Sequence, residues 1–433
     1  MICENITINE KGNLCFAGRD VTELAAKYGT PLYLMDENRI RQRLRTYKNA
    51  LNKVLGDKAK VLYASKAASF CQMYRICKEE GIGVDVVSSG ELYTAIKAGF
   101  DPAKAYFHSN NKTDDDIVFA IDNGIGYFVV DNEEELLVID KIAAEKGVKQ
   151  NILLRITPGI DPHTYEAVAT GKVDSKFGSA IETGQAEEIT KTALGLKNIN
   201  LRGFHIHIGS QMFDSQVFFD GAKIMLEFIA HIKRSLGYTA EELDLGGGYG
   251  VRYTEKDPTI DIAKNVEAVG QHIRSKCSEL GLEIPSIRME PGRSIVADAG
   301  MTIYTVGTVK RIPGYKNYVS VDGGMTDNPR FALYGSEYTI YIANKMNDNG
   351  KTFNCSVVGR CCESGDIIQE NVTLPSSVCR GDIAAVLTTG AYNYSMASNY
   401  NRIARPPVVM INNGEDYVAV KRETLEDILR NDI

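Results

Sequence analysis

The sequence predicts an α/β chain: a (β/α)8 barrel of the TIM type followed by an antiparallel, β-rich C-terminal domain. Three observations carry that reading. Eight short apolar runs recur between residues 31 and 292. Amphipathic stretches of helical period separate them. After residue 293 the texture changes to alternating apolar and polar residues between Gly, Asn-Asn-Gly and Pro breaks.

Taken in order, residues 1–30 contain NITINEKGNLCFAG, a short hairpin pattern assigned with the C-terminal domain. A helical pattern over 36–55 leads into the first strand, VLYAS (61–65), and Ala67-Ala68-Ser69 reads as the start of the next helix. The strands GVDVVS (83–88), AYFHS (105–109) and GYFVVD (126–131) follow. The helix expected over Glu133–Lys146 carries Leu136, Leu137, Ile139, Ile142 and Ala143 as its apolar stripe. ILLRIT (152–157), LRGFHIHI (201–208), ELDLGG (242–247) and SIRME (286–290) complete the set, with helices over 214–234 and 260–280. Near-continuous apolar strands alternating with helices imply a parallel sheet buried on both faces. Eight such units in about 250 residues is the barrel count, with an open doubly wound sheet as the competitor.

Beyond the barrel, MTIYTVGTVKRI, NYVSVDGG, TFNCSVVGR, IAAVLTTG and PPVVMINNGEDYVAV read as hairpin-rich β structure. The domains are therefore 31–292 for the barrel, and 1–30 plus 293–433 for the β-rich part.

Composition narrows the function classes. A net charge of −7 over 433 residues argues against a nucleic-acid or anionic-membrane surface. No apolar run approaches about 18 residues, so no membrane span is expected. The start, MICENITINEKGN, has no basic flank leading into an apolar stretch, so no export signal is read. Nine cysteines without C-x-x-C spacing fit reduced thiols in the cytoplasm. Six histidines without H-E-x-x-H spacing give no metal site.

Reactive side chains of a barrel come from the C-terminal ends of its strands. Those ends are Ser65-Lys66, Asp85 with SSGEL, HIHIGSQ (205–211), LGGGYG (245–250) and EPGR (290–293). Bare N–H groups of LGGGYG, with Ser210 and Arg293, can form a phosphate cup without a P-loop lysine. Lys66 is then free for chemistry. Partial burial and nearby cations lower an amine's pKa, leaving a nucleophile able to form a Schiff base. Lysine, phosphate cup and carboxylate together suggest pyridoxal phosphate, with Glu290 as partner of a pyridine nitrogen. His207 and His205 are both candidates for a flat partner of the ring.

YASKA, DVVSSGEL, HIGSQ, LGGGYG, EPGR, CESGD and GAYNYSMASNYN occur in that order, and the ordered set resembles the fold-type-III pyridoxal phosphate decarboxylases. The resemblance runs from about residue 25 to residue 407 and is nearest the branch acting on diaminopimelate. It implies that Lys66 holds the cofactor and His207 stacks on its ring. Ser210, Gly246, Gly247, Gly248, Arg293 and Tyr392 would serve the phosphate, and Glu290 the ring nitrogen. RFALY (330–334) implies that Arg330 and Tyr334, with Arg293, hold a substrate carboxylate. CESGD (362–366) implies a segment entering the partner subunit's active site in a homodimer, with Cys362 as proton donor and Glu363 on the distal amine. VDSKFG (173–178) is also a family segment. The implied activity is decarboxylation of meso-2,6-diaminopimelate to L-lysine. Phe331, Asn393 and Arg360-Cys361 depart from the family pattern at the substrate end. Sister decarboxylases acting on ornithine, arginine, carboxynorspermidine or a D-amino acid are the alternative, followed by a racemase or a regulator without cofactor.

Overall fold

The computed structural model describes residues 1–160 and 175–433. The chain divides into two units: Gln42–Gly250 with Thr259–Ser294, and Met1–Arg41 with Val251–Pro258 and Ile295–Ile433.

The first unit is a closed barrel of eight parallel strands: Ala59–Ala64, Gly83–Val86, Ala105–Phe107, Tyr127–Val130, Gln150–Thr157, Ile199–His205, Glu242–Asp244 and Ser286–Met289. The last strand closes on the first through the register Ile287↔Ala59 and Met289↔Val61. All eight apolar runs therefore become barrel strands. Their interior is packed: Leu62, Tyr106, Val129 and Leu153 form one buried layer. Near the N-terminal ends, the Tyr106 and Tyr127 rings stack at 4.3 Å. Their hydroxyls donate to Glu242, at 3.1 and 2.8 Å, and Arg288 pairs with the same carboxylate at 2.9 Å. This closes the barrel floor with the buried Glu242 carboxylate held by two hydroxyls and a guanidinium, the kind of pairing that burial of charge demands.

Three of the long helices begin at side-chain caps. Asn132, Asp214 and Asp261 accept from the first turns of Glu133–Lys146, Ser215–Leu236 and Ile262–Leu280. Two expectations need correction. Leu137 is 48% exposed, because its position falls off the face that Leu136, Ile139 and Ala143 share. The helix after the first strand starts at Cys71, not Ala67, since Ser65–Ala67 forms a short 3-10 turn.

The second unit holds a three-stranded antiparallel sheet (Ile6–Ile8, Leu14–Phe16, Arg19–Asp20) and a nine-stranded sheet. The larger sheet is mixed rather than purely antiparallel. Asn317–Val321 runs parallel to Thr352–Val358, and Val408–Asn412 runs parallel to Leu32–Asp36. Both pairs are joined by connections long enough for a crossover. Leu32–Asp36 also corrects the barrel boundary of 31–292. Its five residues are all buried, and it pairs with Gly300–Arg311 on one side and Val408–Asn412 on the other. Such a run is a central strand of this sheet, and it packs around Leu14, Phe16, Met301, Leu387 and Val409. Val173 and Asp174 of VDSKFG lie outside the described residues.

Candidate active site

Strands six, seven, eight and one are neighbours in the barrel, so their C-terminal ends share one sector of the mouth. Strand six exits through His205, Ile206 and His207 to Ser210, strand seven through Gly246–Gly248, strand eight through Glu290 to Arg293, and strand one through Lys66. Backbone bonds lock the exits together. Ile206 N donates to Asp244 O at 2.9 Å, Glu290 N to Gly246 O at 2.7 Å, and Ala64 N to Pro291 O at 3.2 Å.

The glycines are a steric requirement. A Cβ on Gly246 would lie 2.5 Å from Ile206 O, and one on Gly247 2.2 Å from Glu290 O. Gly246 also adopts φ +65°, in the left-handed region. Beside this bare backbone the buried Arg293 donates through Nε and Nη2 to Ser210 Oγ, at 3.2 and 3.0 Å. A guanidinium, a hydroxyl and a side-chain-free turn make a site for a multiply charged anion.

Lys66 departs from expectation. It is exposed rather than partly buried, while Ser65 and Ala67 on either side are buried, because the 3-10 turn swings its side chain out of the strand. Its amine is still near enough to act electrostatically on Asp85, Glu91 and His207.

The carboxyl groups beneath the mouth are pushed apart in acidity. Burial raises Asp85 above the usual carboxylate range. Burial, then the charge of Glu290, raises Asp244 well above it. Burial acts against Glu290 as well, but His108 and His205 outweigh it and hold this carboxyl well below the usual range. His108 Nε2 donates to Glu290 Oε1 at 2.7 Å and His205 Nε2 to Oε2 at 3.1 Å. The cluster therefore favours the charge on Glu290 over charge on Asp85 or Asp244. Burial pulls His205 down to about 4 and His207 well below its ordinary value, so both imidazoles are neutral near pH 7. The two histidines now separate. His205 serves Glu290, whereas His207 Nδ1 accepts from Gly247 N at 3.4 Å, beside the anion cradle.

In the other unit the expected residues fall into two groups. The buried Arg330 donates from Nε to the Tyr338 hydroxyl at 3.1 Å. Its guanidinium stands 5.5 Å from the Tyr334 ring centroid and 4.9 Å from that of Tyr392, so these three come together. Asn393, fully buried, donates Nδ2 to the Tyr338 hydroxyl and to Thr389 O, both at 3.3 Å.

Cys362 and Glu363 are exposed on their loop. Asp366 shapes that loop, accepting from Met325 N at 2.6 Å and Cys361 N at 2.7 Å. Burial and the Asp366 charge push the Cys361 thiol up to about 11.

His108, Asp244 and Tyr338 were missed by sequence reasoning. The strand-end rule reached AYFHS and ELDLGG and could have found His108 and Asp244, the last residue of strand seven; nothing local marks Tyr338.

A family model described as pyridoxal-dependent decarboxylase, pyridoxal binding domain, matches residues 37–297. The chain is 47% identical to the diaminopimelate decarboxylase of Bacillus methanolicus over 416 residues, 96% of each chain. It is 45% identical to that of Bacillus subtilis strain 168 over 426 residues, 98% of this chain and 96% of the relative. In three dimensions it is similar to the crystal structure of diaminopimelate decarboxylase from M. jannaschii in complex with L-lysine. That match has a TM-score of 0.92 at 34% identity and covers 100% of this chain and 98% of the other.

Proposed function

The chain belongs to the diaminopimelate decarboxylase family of the pyridoxal-dependent decarboxylases, and from that premise we propose that it converts meso-2,6-diaminopimelate to L-lysine and carbon dioxide. The observation that carries the reading is the barrel mouth, where an anion cradle, an ionised Glu290 and the Lys66 amine occupy neighbouring strand exits.

These residues fit pyridoxal phosphate. The Gly246–Gly248 turn leaves no room for a Cβ, and Arg293 with Ser210 stands beside it. Asp85 Oδ1 and His205 Nδ1 are buried without a hydrogen-bond partner among the described residues, polar atoms able to face a bound group. When bound, the cofactor supplies an aldehyde carbon for amines and a ring that draws electrons from the bond to the departing carboxylate.

Each residue then has a task. Lys66 Nζ is the tether. Gly246, Gly247, Gly248, Ser210, Arg293 and the Tyr392 hydroxyl hold the phosphate. Glu290 keeps its charge for the ring nitrogen, and the neutral His207 serves as a flat partner for the ring face. Arg330 and Tyr334, with Arg293, receive a substrate carboxylate, and Glu363 the distal ammonium. Cys362 gives the proton from Sγ to the product carbon; such general-acid help is worth about 10² to 10⁴ in rate. The working form is a cytoplasmic homodimer with active sites shared between subunits. The exposure of Cys362 and Glu363 supports that sharing, and no helix among the described residues is long and apolar enough to cross a membrane.

Phe331, Asn393 and Arg360-Cys361 make a substrate panel the decisive test. Carbon dioxide release should be fastest from meso-2,6-diaminopimelate, with chiral analysis returning L-lysine. Faster release from ornithine, arginine, carboxynorspermidine or a D-amino acid would assign a sister activity. Epimerised substrate without carbon dioxide would make the chain a racemase.

A further inference from the structure

Glu290 stands between two imidazoles that have no part in the reaction described so far. His108 leaves the end of strand three and His205 ends strand six, with two strands between them in the barrel. Both are buried, at 7% and 1% exposure, and their rings meet edge to face at 4.9 Å. Their donor nitrogens and a Glu290 oxygen all lie within 4.8 Å of one another. Two histidines brought from separate strands onto one carboxylate are costly to bury unless each makes its bond.

We propose that His108 and His205 are positioning residues that clamp Glu290: each donates Nε2–H to a different carboxylate oxygen, fixing the carboxylate plane and keeping its charge where the cofactor's ring nitrogen needs a partner. The clamp rests on the pyridoxal phosphate reading above, but the bonds themselves belong to this chain. Each oxygen accepts one imidazole N–H and keeps a second lone pair, so the clamp orients Glu290 without consuming it.

The competing charges make the choice of Glu290 specific. Asp85, Asp244, Lys66, Arg155 and His207 all act on this cluster. Among the described residues Asp85 Oδ1 and Asp244 Oδ2 have no hydrogen-bond partner, whereas both Glu290 oxygens have one. The tautomer is also set. With Nε2 donating, His205 Nδ1 is left as a bare acceptor, the arrangement a neutral ring tolerates and a protonated ring does not.

The test exploits side-chain geometry. A glutamine at either position places an amide N–H where Nε2 stands, and an asparagine places it nearer Nδ1. The full-length variants H108Q, H205Q, H108N and H205N are loaded with pyridoxal phosphate carrying ¹⁵N in the ring. Folding is followed by circular dichroism, and loading by borohydride reduction and mass measurement at Lys66. Wild type, H108Q and H205Q should show the pyridinium ¹⁵N position. H108N and H205N should load yet shift toward neutral pyridine, with kcat down roughly 10- to 100-fold, as for other residues that orient a ligand from behind, and KM nearly unchanged. Asparagine variants that keep the pyridinium signal and normal kcat would overturn the clamp. If they do not fold, H108A and H205A supplied with imidazole replace them, and a signal indifferent to imidazole overturns it equally. Wild type that cannot be trapped at Lys66 would instead sink the cofactor reading.

Discussion

Two adjacent thiols show how far surroundings decide chemistry at the scale of a residue. Cys361 is turned toward Asp366, which accepts its backbone N–H and helps push the thiol up to about 11. Cys362 is exposed, and its own N–H is taken by Asn401 Oδ1 at 2.8 Å. A proton donor must reach the substrate, so exposure favours the outer thiol for the acid role proposed above and leaves the inner one to shape the loop. Cys362→Ala should lower kcat by about 10² to 10⁴ while the visible cofactor absorbance persists, whereas Cys361→Ala should keep most of the rate. The reverse pattern in steady-state assays would exchange the two roles. For Glu363, loss of a charge-assisted bond is worth about 1.5–3 kcal/mol, so Glu363→Ala should raise KM for diaminopimelate roughly tenfold or more. A substrate lacking the distal amine should be unaffected, and an equal rise for both would remove Glu363 from that contact.

At the scale of an element, the turn after strand seven and the cap of a remote helix separate close approach from backbone strain. Gly247→Ala places a Cβ against the Glu290 carbonyl, and backbone cannot give way cheaply. It should cost about 1–3 kcal/mol of stability and loosen pyridoxal phosphate, seen as cofactor lost on dialysis. Gly281, at φ +63° with open space around it, is the control: alanine there should cost about 1 kcal/mol and leave cofactor retention intact. Retention unchanged in Gly247→Ala would deny the turn its part in the cradle. The same scale explains what could be read from sequence. The eight barrel strands were legible because burial on both faces leaves an almost unbroken apolar run. Leu32–Asp36 has the same signature but lies in the other sheet, since an apolar run records burial and not the identity of its neighbours. Lys66 was legible as a strand-exit lysine, but its exposure was not, because a single 3-10 turn decides it. The ionisation pattern of Asp85, Asp244 and Glu290 was beyond reach, since it depends on two histidines brought from distant strands.

Across the whole molecule, buried acids tie folding to pH, and Asp327 gives the clearest case. Its side chain is 1% exposed, accepts from the Tyr304 hydroxyl, and accepts from Gly324 N at 3.1 Å. Burial first, with the Asp366 charge adding to it, raises this carboxyl to about 7 despite those bonds. The unfolded chain holds such a proton only below about pH 4. Between about pH 4 and 7 the folded state therefore binds the extra proton. Its contribution to stability is fully present below the unfolded pKa and is lost as pH rises through 7, a span on the order of 4 kcal/mol. Asp85 and Asp244 act in the same direction, while Glu290, held low, adds stability that disappears only in acid. Asp327→Asn removes one share of this dependence. It keeps an acceptor for Tyr304 but loses the one facing Gly324 and Thr326, so it should be less stable than wild type at pH 5. The gap should narrow by pH 8, where wild type has lost its advantage. Urea unfolding at the two pH values, followed by far-ultraviolet circular dichroism because the chain has no tryptophan, measures both slopes. An Asp327→Asn chain that loses as much stability as wild type between pH 5 and 8 would show that this carboxyl is already ionised when folded.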